Sequence, residues 1–187
     1  QAVIYVPHAG FTMRRVESSD LEPTDSAQPL DFILKSGRAL IVVALEGSFE
    51  RAWSPARRAS MSYAERYRVR LRHGRQDVGR VIDYLETRQD IDAGRLGWFG
   101  VSWGAQGMTP ILAVEPRFRS VVLDGGGVFL LEIPDAEQVY NYLPRITQPV
   151  LMLNGRWDID VNPDAQRRFF ELLGTPADQK KHMVFEA

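Results

Sequence analysis

The chain has 187 residues, enough for one domain with a substantial apolar core. A net charge of −1, with 44% hydrophobic and 25% charged residues, argues against a nucleic-acid binder driven by bulk positive charge. The absence of cysteine removes disulfides, thiolate catalysis and cysteine-based metal sites, and no apolar run approaches the length of about 18 residues that a membrane-spanning helix needs.

In chain order, Ala2-Val3-Ile4-Tyr5-Val6 reads as a buried strand stopped by Pro7. His8-Ala9-Gly10-Phe11 then opens a polar stretch to Gln28 that reads as loop. Leu30, Phe32, Ile33 and Leu34 ahead of Gly37 predict a short helix with a glycine stop. Ala39 to Leu45 is a second buried strand. Ser60 to Arg88 reads as helix because Val78, Val81, Ile82 and Leu85 share one face, with Gly74 expected to kink or split it. Arg66, Arg68, Arg70, Arg72 and Arg75 read as a solvated helix face in preference to a basic groove.

Leu96 to Val101 is a third strand, Ala105 to Val114 a helix, and Ser120 to Leu123 a fourth strand running into Gly125-Gly126-Gly127. Val128 to Arg145 is a loop or lid, in which Tyr140, Tyr142 and Leu143 form either a lid or a packed helix. Val150 to Leu153 is a fifth strand, and Pro163 to Leu173 is a helix opened by proline and closed by Gly174. Met183 to Phe185 starts a sixth strand. Strands alternating with helices predict an α/β fold: a mainly parallel sheet with helices on both faces. The chain is expected to be a single domain, 1–187, with a lid or cap segment around 128–145.

The chemistry concentrates in RLGWFGVSWGAQG, residues 95–107. Gly100-Val101-Ser102-Trp103-Gly104 places a serine at a strand-to-helix turn, between glycines whose side chains would collide with neighbouring backbone. Such a turn exposes the Ser102 hydroxyl at the carboxyl end of the sheet and aims the Trp103 N–H at a developing oxyanion. The second oxyanion donor belongs on the loop after the first strand and is assigned to Gly10, to within one residue either way. The orienting acid belongs beyond a later strand, where Asp158 is favoured over Asp160 because it lies nearer the strand end. Of the three histidines, His182 stands at the wrong end of the sheet, His73 lies on or near a helix, and His8 reads as shaping the oxyanion loop. The base histidine is therefore expected just past Ala187. Gly125-Gly126-Gly127 lacks the Gly-Lys-Ser/Thr continuation of a phosphate loop, and no metal-ligand spacing is present, so no cofactor or metal is expected.

QDVGRVIDYLETRQDIDAGRLGWFGVSWGAQG, VVLDGGG and VLMLNGRWDIDVNPDAQRRFFELLGTPADQKKHMVFEA resemble the α/β-hydrolases, in particular the branch of acetyl-xylan-esterase-like and dipeptidyl-aminopeptidase-like serine hydrolases. The resemblance implies a Gly-His following the last piece, with that histidine as base. It also implies that the first strands of the usual sheet are absent before Gln1, and that such domains occur as C-terminal parts of larger bacterial proteins. The implied activity is hydrolysis of carboxylic esters of small molecules through an acyl-enzyme, with a peptidase of the same fold as the alternative. A catalytically silent binding or regulatory domain of a larger chain is the reading from a different class.

Overall fold

The computed structural model describes residues 1–12, 17, 30–128 and 131–186. The loop expected up to Gln28 lies almost wholly outside them, as do two residues of the expected lid segment. Among the described residues, six strands build one sheet: β1 (Ala2–Val6), β2 (Ala39–Val42), β3 (Leu96–Val101), β4 (Phe118–Asp124), β5 (Val150–Gly155) and β6 (Lys180–Phe185). Every pairing is parallel, in the order β2-β1-β3-β4-β5-β6. The chain runs outward from β1 to β2 and then crosses to β3. The topological switch point thus lies between the carboxyl ends of β1 and β3, where open α/β sheets form their ligand crevice.

Among the described residues four α-helices accompany the sheet: α1 (Asp31–Lys35), α2 (Pro55–Ala59), α3 (Tyr63–Thr87) and α4 (Pro163–Leu172). One sheet face carries Ile4, Val6, Trp98, Val121, Leu123 and Met152, buried against Val78 and Ile82 of α3 and Phe169 of α4. The other face carries Tyr5, Phe99 and Val101, packed on Leu30 and Ile33 at α1. Helices therefore lie on both faces of a parallel sheet, as the alternation of strand and helix implies.

Local chemistry sets the helix ends. Ser62 and Glu65 form a reciprocal capping box at the start of α3, the Ser62 side chain accepting from the Glu65 N–H and the Glu65 carboxylate from the Ser62 N–H. Asn162 caps α4 through the Ala165 N–H, with Pro163 in the first turn. Gly74 does not split α3, which runs unbroken from Tyr63 to Thr87. It is a contact glycine instead: a Cβ there would stand 2.7 Å from the Met108 side chain.

Three further expectations are corrected. β2 ends at Val42 and not at Leu45, because the chain folds tightly, Leu45 N–H donating to the Val43 carbonyl, and turns Val43 and Leu45 into the core. Residues 105–114 are not an α-helix but two 3-10 turns, Ser102–Ala105 and Thr109–Ile111. Gln106, at φ −121° and ψ −83°, leaves helical geometry, and Pro110 has no N–H to donate. β6 begins at Lys180, three residues early, so His182 lies within the strand, beside Met152 of β5.

Candidate active site

Ser102 follows β3 directly and holds φ at +48°, one of two non-glycine residues in the left-handed region among those described. For a serine this costs about 1–3 kcal/mol and persists only where the surroundings over-determine it. Here they do. A Cβ on Gly100 would lie 2.3 Å from the Gly104 carbonyl oxygen, and a Cβ on Gly104 would lie 2.0 Å from that of Val6. The end of β1, the end of β3 and the serine turn thus touch backbone to backbone, and only glycine fits at 100 and 104. Gly104→Ala is expected to cost about 3 kcal/mol or more, since Val6 is held in the sheet opposite Gly100 and cannot retreat. Thermal melting checks this, and an unchanged midpoint would show that the turn is not locked.

Behind the turn, buried amides tie it to the next strands. Gln106 Nε2 donates to the Gly125 carbonyl at 2.5 Å, and the Gly125 N–H donates to Leu153 of β5. Gly125 itself is at φ +75°. Asn154, at the end of β5, donates through Nδ2 to the Gly126 carbonyl at 3.0 Å, and its Oδ1 lies 3.0 Å from His182 Nε2. Because that oxygen can only accept, Nε2 of His182 carries the proton. Burial pushes the His182 pKa down, favouring the neutral ring. The Gly-Gly-Gly after β4 is therefore a seam stitched by Gln106 and Asn154, neither of which its sequence context had marked as a site residue.

The carboxyl edge of the sheet gathers the other candidates. Asp158 is half-buried on the turn after β5, and its Oδ1 accepts from the N–H groups of Asp160 (2.9 Å) and Val161 (3.0 Å), which fixes the carboxylate; Asp160 is exposed. Arg156 N–H donates to the Phe185 carbonyl, so the chain leaves β6 beside this turn. Trp103 lies half-buried, its ring edge-to-face with Tyr67 at 6.0 Å. On the loop after β1, the Gly10 N–H donates to His8 Nδ1 at 3.0 Å. Among the described residues the Ser102 hydroxyl takes part in no hydrogen bond. His73 lies on α3, 3.8 Å from Glu46, and His182 is occupied by Asn154.

A parallel sheet in this order, with helices on both faces and a serine forced into a left-handed turn at the switch point, is the α/β-hydrolase fold. No family model matches the chain, and no curated protein matches it by sequence. Solved structures share its fold at low identity. Acetyl xylan esterase 1 from a Thermoanaerobacterium species is 18% identical, with a TM-score of 0.66 over 99% of this chain and 68% of that one. A Pyrococcus furiosus esterase is 15% identical, with a TM-score of 0.68 over 100% of this chain and 72% of that one. Pyrococcus horikoshii acylaminoacyl peptidase is 13% identical, with a TM-score of 0.70 over 100% of this chain but 32% of that one. At these identities the likeness shows the shared fold. No helix among the described residues is long and apolar enough to cross a membrane.

Proposed function

We propose that the chain is a serine hydrolase of carboxylic esters. The observation that carries the reading is Ser102 at φ +48° between two glycines that backbone contact makes obligatory. Nothing in packing requires a serine there, while a nucleophile gains from being lifted clear of the sheet. Ser102 Oγ attacks the acyl carbon as a histidine takes its proton. That histidine comes from outside residues 1–187 and is oriented by Asp158, whose turn adjoins the exit of β6. The Trp103 N–H holds the oxyanion, and the Gly10 N–H joins it once the His8 ring swings off that amide. The protonated histidine then gives its proton to the departing alcohol, and water, deprotonated by the same histidine, releases the acid from Ser102. No cofactor or metal enters the scheme. The test compares short-acyl p-nitrophenyl esters with an aminoacyl p-nitroanilide, on the chain extended through its following residues. Faster ester turnover is expected. Preference for the anilide would make it a peptidase, and no turnover of either would favour a silent binding domain.

A further inference from the structure

The loop after β1 folds into a 3-10 turn, Ala9–Thr12, that lies alongside the Ser102–Ala105 turn. β1 and β3 are in register up to Val6 and Gly100, so both turns leave the same end of the sheet. Within the first turn the Gly10 N–H is taken by His8 Nδ1, at 3.0 Å. The fit is close. A Cβ on Gly10 would stand 2.5 Å from His8 Cε1 and 2.8 Å from Nδ1, so the ring sits on this amide only because residue 10 has no side chain. The amide assigned to the oxyanion is thus capped by the side chain two residues before it, and rotation of that ring uncaps it without moving the backbone.

The cap depends on protonation. A neutral imidazole accepts through one nitrogen, here Nδ1, and carries its proton on the other; a protonated one donates from both and has no lone pair for the Gly10 N–H. Imidazole makes this change between about pH 5 and 8. Among the described residues, the charged groups that line the small space beside His8 are Glu46, on the loop after β2, and Arg70 of α3; Trp103 and Met108 face it from the serine turn and beyond. Arg70 departs from the solvated face expected of the α3 arginines and turns inward, its guanidinium 4.7 Å from the centre of the Trp53 ring. Glu46 is held by Trp53, Arg51 and Arg57, with His73 3.8 Å away. We infer that His8 is a positioning residue that gates the second oxyanion donor: neutral, it withholds the Gly10 N–H; protonated, it releases it. The inference rests on the reading of Ser102 as nucleophile and Gly10 as donor. Its sign follows from the bond: only the neutral ring makes it, so the donor becomes more available as pH falls, opposite to the direction in which a base histidine gains activity. Breaking one hydrogen bond before the oxyanion is held costs about 2- to 10-fold in rate.

Two variants of the extended chain bracket the wild type. His8→Ala has no ring and leaves the amide open at every pH. His8→Asn keeps an acceptor for the N–H two residues on, as asparagine does in turns, but does not titrate. The value of kcat/KM for p-nitrophenyl acetate is measured from about pH 5.5 to about pH 8.5 and divided by that of His8→Ala, which cancels the titration of the base. Wild type is expected to approach His8→Ala at the acid end and to fall about 2- to 10-fold below it at the alkaline end, while His8→Asn stays below it by a constant factor. A ratio for wild type that ignores pH, or that falls as pH falls, overturns the inference. The Gly10 amide is also followed by heteronuclear NMR over the same range, which needs no turnover. Its signal is expected to move with His8 protonation in wild type and to stay in place in both variants. A Gly10 signal that ignores the His8 titration overturns the gate even where esters are cleaved. A titrating signal in a chain that cleaves no ester upholds the His8–Gly10 switch and overturns the nucleophile reading instead.

Discussion

Ser102→Ala is expected to lower ester turnover by the extended chain by about 10⁵- to 10⁶-fold while leaving its thermal melting almost in place. The separation of the two readouts follows from the geometry. Alanine keeps a Cβ, so the left-handed strain at φ +48° is the same in both proteins. The Ser102 hydroxyl has no hydrogen bond to lose among the described residues, so its removal leaves no buried polar group unsatisfied. What disappears is the nucleophile. The donors aimed at the oxyanion remain and sustain only slow attack by water, roughly 10³- to 10⁴-fold above the uncatalysed rate. A loss of only a few-fold, measured as kcat/KM on p-nitrophenyl acetate, would remove Ser102 from the chemistry.

The second large effect separates residues 1–187 from a chain that continues past them. His73 stands beside Glu46, His182 is bonded to Asn154, and Asp158 spends one oxygen on the N–H groups of its own turn. Without a base the serine is a neutral hydroxyl and a poor nucleophile at neutral pH. Residues 1–187 alone are therefore expected to show weak ester cleavage. The chain carrying its native continuation is expected to gain at least about 10³-fold, because a triad stripped of one member falls back on oxyanion binding. The comparison is made on equal concentrations of the two proteins, with circular dichroism confirming that both are folded. If the shorter chain matched the longer, an internal histidine would have to serve. His8, on the loop at the carboxyl end of β1, would be the first to replace.

The parts of this molecule that could be read from the residues are those where the signal is local. The apolar run Leu96 to Val101, broken by a glycine-flanked serine, was enough to place β3 and its turn, and Pro163 with Gly174 bracketed α4 closely. What escaped depends on partners distant in the chain. β6 starts at Lys180 because Lys180 pairs with Val150, and its ammonium caps the end of α4 by donating to the Phe170 and Leu173 carbonyls. Two lysines and a histidine do not look like a strand until β5 is beside them. The segment after Ser102 has helical composition, yet Gln106 breaks away, its side chain bonding to Gly125 on the neighbouring strand. In the same way the inward turn of Arg70 is set by Trp53 and Gly47, and helical periodicity alone groups it with its solvated neighbours.

The most direct measurement is covalent labelling of the extended chain with a fluorophosphonate, followed by mass spectrometry of the peptides. Phosphonylation of Ser102, absent from Ser102→Ala, is the result expected of a serine raised on a strained turn, activated by a histidine and served by oxyanion donors. No label in the folded protein, or label on a different serine with Ser102 untouched, would contradict the account.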